Sequence, residues 1–478
     1  MAGIVVVGAG MGAMAAAARL AVAGHRVTVL ERGSTHGGAV RQYTRDGFAF
    51  DTGPGLLHLP AVWRDLFVKT GKQPLEECLT LTRVDPAAEH RFADGTAVRL
   101  PGFSLGGVRR ALDDALGDAA GARWTALLGR GRQTWEATRR PLMEEPLTAG
   151  SAAGAALRRD PYPVVRRRGR LRRRPPALAD LGRDELQDPR LAALLASSVR
   201  DYGIDPRLAP ASAAVLAYME QAFGSWYPLG GLRALADAVH RRCLDRGVEF
   251  VMGAHAARIL EADGRAAGVE LADGRTFGAD TVVWGAPEPQ TPLLGQSRCT
   301  VLLALRGSRP PGTAHRTVLH APDPYGDPLV HPVVTLLRPD DAALRPDAHH
   351  ESAVLTAAVP AAGSNGAPGG TDWEAFADLL LDAAERAGLG LRDRLLWRVV
   401  RTPADVERDT GSPGGVVPGP ALAGAGGAFL TAPSTGPTAG SYRVGGHAHP
   451  GGGLAHAGMS GALSAGLIVE GPQWRGSY

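Results

Sequence analysis

Cysteine is scarce in this 478-residue chain, and the three residues present follow no motif. Cys78, Cys243 and Cys299 are widely spaced and odd in number, which excludes a disulfide scaffold and a cysteine-based zinc site. Such sparse use of cysteine fits a reducing compartment. Long apolar runs are also missing, since the longest is far below the ~18 residues that a membrane-spanning helix requires. Because the N-terminus lacks the pattern of a secretory leader, we expect a cytoplasmic protein.

Lysine is nearly absent. It occurs only at Lys69 and Lys72, so arginine supplies the other fifty of the 52 basic side chains. The formal net charge of +4 is local, because Arg166–Arg174 holds seven arginines and leaves the rest of the chain at −3. This arginine stretch has two interpretations, a solvated loop or a peripheral contact with an anionic membrane. Nucleic-acid binding is not expected, because no aromatic residues alternate with the basic ones.

The N-terminal residues carry the strongest pattern in the chain. They predict a strand at Ile4–Val7, a glycine turn at Gly8-x-Gly10-x-x-Ala13, a helix at Ala15–Ala23 and a strand at Val27–Leu30. This is a dinucleotide-binding fingerprint in its proper βαβ context. Gly8 permits the sharp turn, Gly10 lets a pyrophosphate approach the backbone, and Ala13 keeps the helix close to the strand. The helix N-terminus then offers free amides to the phosphates.

An acidic residue closes the second strand of this unit. Glu31 is placed to accept hydrogen bonds from adenosine ribose hydroxyls, which disfavours a 2′-phosphate. The pattern alone leaves NAD and FAD both open. No second fingerprint follows, since Gly424-Ala425-Gly426-Gly427 lacks a flanking strand and helix. A separate nicotinamide site is therefore not expected. If the cofactor is FAD, the reduced flavin would be reoxidised by oxygen, a quinone or another acceptor.

Further motifs decide between the two cofactors. They are Gly37-Gly38, Gly47-Phe48-x-Phe50-Asp51-x-Gly53-Pro54, Trp226-Tyr227-Pro228-x-Gly230-Gly231, Thr402-Pro403-Ala404-Asp405, Gly414-Gly415 and Gly446-His447-Ala448-His449-Pro450-Gly451-Gly452-Gly453. In this order, over nearly the whole chain, they resemble the bacterial phytoene desaturase family of FAD-dependent oxidoreductases. The resemblance implies that FAD is the cofactor. Three features depart from the family: Ala39 stands where arginine is usual, Thr431–Thr435 replaces a segment rich in arginine and asparagine, and the insert after Pro141 is rich in arginine where that of carotenoid desaturases is more apolar.

The resemblance also assigns roles to individual residues. It implies that Gly37 and Gly38 wrap the FAD ribose and pyrophosphate and that the backbone of Ala256 contacts the adenine. It implies that Gly446 and His447 approach the ribityl-pyrophosphate, while the helix near Ala457 directs its amides to the flavin pyrimidine. A helix N-terminus there would stabilise the negative charge of a reduced flavin. Arg32, beside Glu31, completes the predicted cofactor-binding set.

The chain is expected to be α/β with an α+β insert. A discontinuous Rossmann-type FAD-binding domain is combined with a substrate domain of mixed sheet plus helices. The predicted parts are FAD-binding segments 1–95, 230–290 and 441–478, a helical substrate or lid insert at 96–229, and substrate-domain strands and a helix at 291–440. Within the last part we expect strands at Val301–Leu305, Val330–Leu337 and Ala353–Val359 and a helix at Asp372–Ala387.

The expected reaction is desaturation of a hydrophobic isoprenoid or polyene, as in carotenoid biosynthesis. Hydride would leave an allylic carbon for flavin N5 while a neighbouring carbon loses a proton. His447 and His449 are the candidate catalytic bases, on the condition that they show suitable geometry. No metal site is expected, because the histidines and acids lack metal-ligand spacing.

Three alternatives stay open. The first is a flavin-dependent tailoring oxidase or dehydrogenase, or an amine oxidase, of secondary metabolism; amine oxidases of related fold commonly place a lysine near the flavin, which here would have to be Lys69 or Lys72. The second is a prenyl-binding escort of the same fold without flavin chemistry. The third is an isomerisation or cyclisation that uses reduced flavin without net redox change.

Overall fold

A computed structural model describes residues 2–148, 152–164, 175–288, 295–363 and 370–476. The helices in chain order are α1 (Met11–Val22), α2 (Ala61–Gly71), α3 (Leu105–Leu116), α4 (Ala120–Arg139), α5 (Ala152–Ala156), α6 (Leu178–Leu181), α7 (Pro189–Arg200), α8 (Ala214–Phe223), α9 (Leu232–Asp245), α10 (Trp373–Arg386), α11 (Pro403–Thr410) and α12 (Leu454–Glu470). The predicted arginine stretch Arg166–Arg174 lies outside the described residues.

The strands lie in five sheets. In chain order they are β1 (Gly3–Val7), β2 (Arg26–Glu31), β3 (Gln42–Arg45), β4 (Phe48–Asp51), β5 (Leu57–His58), β6 (Leu81–Arg83), β7 (Ala88–Arg91), β8 (Ala97–Leu100), β9 (Ser225–Pro228), β10 (Glu249–Met252), β11 (Ala256–Ala262), β12 (Arg265–Leu271), β13 (Thr276–Gly278), β14 (Thr281–Trp284), β15 (Gln296–Arg306), β16 (Arg316–Leu319), β17 (Val334–Leu337), β18 (His350–Pro360), β19 (Leu395–Arg401) and β20 (Ser441–Arg443).

A parallel sheet carries the N-terminal βαβ unit. Its strand order is β10-β2-β1-β14-β20, and every neighbouring pair is parallel. Buried apolar strands of this kind need cover on both faces; α1, α9 and α12 pack together in the same core as β1 and β2. The sheet joins strands near both ends of the chain with strands from its middle. The predicted discontinuous Rossmann-type fold is therefore confirmed, while the exact domain boundaries stay a prediction.

The first helix begins earlier than its sequence pattern predicts. The expected start was Ala15, but α1 begins at Met11, directly after the N-cap Gly10. The alanine pattern marks only the part of the helix that packs in the core. The glycine fingerprint thus includes the first turn of α1 as well as the loop before it.

A seven-stranded mixed sheet is the largest sheet among the described residues. Its order is β19-β15-β18-β17-β16-β7-β8, antiparallel except between β16 and β7. The predicted strands at Val301–Leu305 and Ala353–Val359 lie within the longer β15 and β18, whereas the one expected from Val330 begins only at Val334. The expected helix is α10, which Asp372 caps by accepting from the amides of Glu374 and Ala375. The predicted boundary at 95/96 falls inside the β7–β8 hairpin of this sheet.

Helices α3, α4, α7 and α8 form a separate apolar core beside this sheet. Their spacing of buried leucines follows the helical period, as in α7, where Leu191, Leu194 and Leu195 are buried. In the part of the chain that the structure describes, no helix is both long enough and apolar enough to cross a bilayer.

Candidate cofactor and substrate site

The glycine turn joins β1 to α1 at the carboxyl edge of the parallel sheet. Gly8 has a φ of +87°, a conformation that favours glycine, and its amide donates to the Leu30 carbonyl at 2.7 Å. Gly10 offers no side-chain cap to α1, so the first helical amides have no capping partner. A Cβ on Gly10 would meet only the Cα of Gly38, at 4.0 Å. Open space therefore adjoins an uncapped helix N-terminus, which is where an anionic pyrophosphate binds.

Glu31 lies at the end of β2, as predicted, with 6% of its surface exposed. Its Oε2 accepts the Ala9 amide at 2.7 Å, and its Oε1 accepts the Gly33 amide at 2.7 Å. A carboxylate has about four acceptor positions, so two remain for ribose hydroxyls. The same side chain also fixes the backbone on both sides of the site, a role that the motif does not reveal.

The paired glycines lie across the turn from Gly10. The Gly37 amide donates to the Ala9 carbonyl at 2.8 Å, and a Cβ on Gly38 would lie 3.0 Å from the Gly10 Cα. Gly37 and Gly38 have φ values of +104° and +61°, a backbone conformation that favours glycine at both positions. The structure thus brings the two glycine motifs together in one cradle.

The C-terminal glycine segment closes the cradle from the other side. α12 packs along α1, and a Cβ on Gly12 would lie 2.7 Å from the Ala457 carbonyl oxygen and 2.9 Å from the Gly445 nitrogen. The Gly445 amide donates to Ser460 Oγ at 2.7 Å. Gly446 and His447 follow immediately, so these predicted residues lie beside the first turn of α1.

The amide of Ala457 is already engaged in the helix. It donates to the Gly453 carbonyl at 2.9 Å, and Gly453 supplies no side-chain cap. The amides directed beyond the helix are therefore those of Leu454, Ala455 and His456, one turn before the predicted position.

Two other predicted residues lie farther from the turn. Ala256 begins β11, and the preceding segment approaches β2, since the Ala254 amide donates to the Glu31 carbonyl at 2.8 Å. Arg32 points elsewhere: its exposed guanidinium donates to the Arg408 carbonyl at 2.7 Å. Ala256 is therefore near the ribose end of the cradle, whereas the Arg32 side chain contacts the end of α11.

The two candidate catalytic histidines have different surroundings. His447 Nε2 lies 3.3 Å from Ser412 Oγ, and burial lowers the pKa of this ring to about 4. His449 is fully buried, and its Nε2 donates to the Glu145 carbonyl at 3.0 Å. Its Nδ1 has no hydrogen-bond partner among the described residues, and burial lowers its pKa to about 4. Both rings are neutral at neutral pH and are weak bases.

Asp51 links two of the sequence motifs. Its Oδ2 accepts the Leu232 amide at 2.7 Å and its Oδ1 accepts the Arg233 amide at 3.3 Å, so it caps α9 across the Gly230–Gly231 turn. Burial raises the pKa of this carboxyl to about 7. Asp341 supports the same turn by accepting from Gly230 at 2.6 Å. Sequence reasoning found the motif residues but not this cap, because its donors lie about 180 positions downstream.

Two cavities lie beside α8. One is lined mainly by apolar side chains, among them Trp135, Leu142, Leu216 and Met219, and it includes His456 from the first turn of α12. The other lies between α7, α8 and the seven-stranded sheet and includes charged groups. Among the described residues, no cluster of three or more histidine, cysteine or acidic side chains could hold a metal ion.

Sequence comparison relates this chain to known flavin enzymes. A model of the family described as flavin containing amine oxidoreductase matches residues 14–292. A hydroxyneurosporene desaturase of Rubrivivax gelatinosus is 30% identical over 98% of this chain and 93% of its own length. A zeta-carotene-forming phytoene desaturase of Myxococcus xanthus is 35% identical over 60% of this chain. The match covers 53% of that Myxococcus protein, so the chain spans about half of its length.

Solved structures agree at the level of the fold. Putrescine oxidase bound to putrescine superposes with a TM-score of 0.64 at 14% identity, covering 98% of this chain and 99% of the other. A Rab GDI of Plasmodium falciparum superposes with a TM-score of 0.51 at 12% identity, covering 84% and 88%. The predicted resemblance to phytoene desaturases is thus confirmed. The chain belongs to the flavin-containing amine oxidoreductase family, in which its relatives at about 30% identity are carotenoid and phytoene desaturases.

Proposed function

We propose that this protein binds FAD non-covalently and desaturates a hydrophobic isoprenoid or polyene. The observation that carries the proposal is the nearly full-length match to a hydroxyneurosporene desaturase, combined with a glycine cradle that suits a dinucleotide. Bound FAD supplies the hydride acceptor, and the protein supplies orientation and a dry site.

In this proposal, different segments of the chain bind different parts of FAD. The uncapped N-terminus of α1 receives the pyrophosphate, and Glu31 receives the ribose hydroxyls through its two remaining acceptor positions. Gly37 and Gly38 allow the adenosine half to pass close to the backbone. The first amides of α12 face the pyrimidine end of the flavin, where they favour negative charge.

The apolar cavity beside α8 supports the choice of substrate. It is lined by side chains such as Leu142, Val215 and Met219, and His456 places it beside the first turn of α12, where the flavin ring is expected. An apolar wall there fits a hydrocarbon chain and excludes water. His449 is the stronger candidate for proton acceptor, because its Nδ1 carries the lone pair and is buried without a partner. Because burial lowers the pKa of His449 to about 4, we expect proton transfer to this ring to contribute little to the rate of desaturation.

The alternatives receive less support. Lys69 and Lys72 are both exposed on and after α2, so neither supplies a lysine inside the site for an amine oxidase. The likeness to a Rab GDI concerns the fold alone, and the uncapped helix termini around the glycine cradle are better explained by a bound dinucleotide than by an escort function.

Anaerobic single turnover tests the proposal. FAD-loaded protein is mixed with phytoene in phosphatidylcholine vesicles or, in parallel, with putrescine. Bleaching of the oxidised flavin together with new near-ultraviolet polyene absorbance, from the one double bond that one flavin can introduce, is expected with phytoene only. Flavin bleaching by the amine, or a purified protein that takes up no flavin, would contradict it.

A further inference from the structure

The apolar cavity beside α8 contains a polar side chain that no described residue satisfies. His456 lines this cavity and is 5% exposed, and none of the described residues forms a hydrogen bond with its ring. Buried polar groups are costly to leave unpaired, so an unpartnered imidazole in an apolar wall needs an explanation. Of the described histidines, His456 alone lines the cavity; His447 and His449 do not.

The cavity adjoins the cofactor cradle. One of its walls is the segment Pro420–Ala423, which follows directly on a hydrogen bond from the Gly452 amide to the Gly419 carbonyl, at 2.8 Å. His456 belongs to the first turn of α12, three residues after the N-cap Gly453. The cavity therefore lies beside the turn that leads from the C-terminal glycine segment into α12, where the flavin ring is expected.

The other polar groups of the lining are poor acceptors of a proton. Thr134 and Thr138 each donate to a carbonyl one turn earlier in α4, and Ser212 donates to a backbone carbonyl. Arg139 is a cation paired with Glu144, and an arginine side chain has no acceptor position. Among the described lining residues, the histidine is therefore the side chain that can take up a proton.

The His456 ring is neutral at neutral pH. Burial, with His449 nearby, lowers its pKa to about 4, so one ring nitrogen carries a lone pair. The lowered pKa makes the ring a weak base, but a carbon beside a departing hydride is itself strongly acidic, and a weak base in contact with it suffices. His449 has the same lowered pKa and lacks the contact with the cavity.

We propose that His456 is the catalytic base that accepts the proton released by desaturation. This inference rests on the proposed function and assigns the role to a residue that the sequence patterns did not mark, in place of His449. One substrate C–H bond gives its hydrogen and electron pair to the bound FAD, which is thereby reduced. The adjacent C–H bond breaks, its electron pair forms the new double bond, and its proton forms an N–H bond on His456. The ring returns this proton to water after the product leaves.

Removal of the ring with chemical rescue tests the inference. FAD-loaded parent and His456→Ala proteins are mixed anaerobically with phytoene in phosphatidylcholine vesicles, and the rate of flavin bleaching is measured. The variant is expected to be about tenfold slower, below the usual range for a general base because burial weakens this one. Excess imidazole should restore much of the rate. Pyrrole, which has the same ring shape without a basic lone pair, should not, and this difference separates proton acceptance from filling of the cavity.

Matched variants keep the test decisive. His331→Ala makes the same change at an exposed position and should bleach at the parent rate with or without imidazole. If His456→Ala does not fold, His456→Gln removes the basic nitrogen but occupies much of the space, so it should show the same loss without rescue by imidazole. An unchanged bleaching rate in the His456 variants, or equal rescue by pyrrole and imidazole, would overturn the inference.

A second readout does not depend on turnover. Diethyl pyrocarbonate reacts with the lone pair of a neutral imidazole, and mass spectrometry locates the modified residues. Squalane, a saturated isoprenoid hydrocarbon without an allylic hydride, should slow the modification of His456 in FAD-loaded protein. The exposed His255, His331 and His349 should react at unchanged rates.

The outcomes of this labelling separate the two proposals. If His456 does not react in the ligand-free protein, or reacts equally with and without squalane, its lone pair does not face the substrate and the inference is overturned. Protection of His456 in a protein whose flavin does not bleach with phytoene would count against the desaturase proposal, while it would support the position of the lone pair in the cavity.

Discussion

The cofactor cradle differs in construction from the polar cavity, which is the cavity between α7, α8 and the seven-stranded sheet that His90, Glu220 and Arg316 help to line. The cradle consists of backbone: Gly8, Gly10, Gly37 and Gly38 bring chain segments together, and Glu31 is its main buried charge. The polar cavity consists of side chains, with Arg316 and its partners held between α7, α8 and the sheet. The cradle therefore depends on close approach of the backbone, whereas the wall of the cavity depends on paired charges.

The difference extends to how each site responds to substitution. In the cradle, the critical quantity is space, because added atoms separate helices that the glycines hold close. In the cavity it is pairing, because removal of Arg316 leaves two partly buried carboxylates without their common partner.

The largest effect is expected from Gly461→Val in α12. A Cβ there would overlap the Gly12 carbonyl oxygen and approach the Ala16 nitrogen at 2.8 Å, so α12 must move away from α1. Overpacking against backbone costs about 1–3 kcal/mol or more, and the cradle opens. We expect loss of FAD retention and a clearly lowered midpoint of urea unfolding.

Gly129→Ala is the matched control for this change. No atom lies within 4 Å of a Cβ at this exposed position in α4, so the helix should gain about 0.5–1 kcal/mol. Full FAD occupancy in Gly461→Val protein would show that close contact between α1 and α12 is not needed for the cofactor.

The next largest effect is expected from Arg316→Met. The change leaves Glu220 and Asp201, whose side chains are 26% and 35% accessible, without their common partner, and the expected loss of stability is about 1–3 kcal/mol. FAD binding by the folded fraction should persist, because the cradle is untouched. Urea unfolding monitored with and without FAD separates the two quantities. Arg132→Met, which removes an exposed pair with Glu136, should leave the unfolding curve unchanged.

The cradle was largely predictable from sequence, and the reason is physical. Each of its glycines is needed for a local conformation or a close approach, so the requirement is visible in a few neighbouring residues. The βαβ unit, the acid at Glu31 and the final helix were found in this way. The role of Asp51 was missed, because a cap formed across 181 positions leaves no local pattern.

The polar cavity could not have been found in the same way. Arg316 lies 115 positions from Asp201 and 96 from Glu220, and no local motif around any of the three marks it as part of a cluster. Only the packing of the helical insert against the seven-stranded sheet brings them together. The position of Arg32 was unpredictable for a similar reason, since its partner Arg408 lies 376 positions away.

A moderate effect is expected from Glu31→Ala. The change removes the acceptor of the Ala9 and Gly33 amides as well as the proposed ribose contact, and hydrogen bonds to charged groups are worth about 1.5–3 kcal/mol. Both the stability of the FAD-free protein and the affinity for FAD should fall, the latter at least about tenfold. Glu31→Gln should recover part of the stability. Unchanged flavin occupancy of Glu31→Ala protein after extensive dialysis would refute the placement of the adenosine.

Acid should weaken the molecule through its buried histidines. Burial lowers the pKa values of His447, His449 and His456 from 6.5 to about 4, so the unfolded state binds more protons between these values. The free energy of unfolding therefore falls as pH drops from 6.5 towards 4, by at most about 1.4 kcal/mol per pH unit for each ring.

The variant His449→Gln isolates one of these contributions. Asp51 has the opposite effect on the pH dependence of stability. Because its pKa is raised in the folded protein, the free energy of unfolding falls as pH rises from 3.8 to about 7. The test is therefore the difference in slope between variant and parent, measured by urea unfolding from pH 4 to 7. A parent and a variant with parallel pH profiles would show that His449 is not held neutral in the folded protein.

The smallest effect is expected from Lys69→Met and Lys72→Met, singly or together. Both side chains are exposed, and surface changes of this kind usually alter stability by less than about 0.5 kcal/mol. They are also the only lysines in the chain, so an amine oxidase that depends on a lysine near its flavin would lose activity in the double variant. We expect turnover of the polyene within about twofold of the parent, within the range of surface substitutions. A large loss of turnover with intact flavin binding would place a lysine at the reacting centre, and it would favour the amine oxidase alternative over the desaturase.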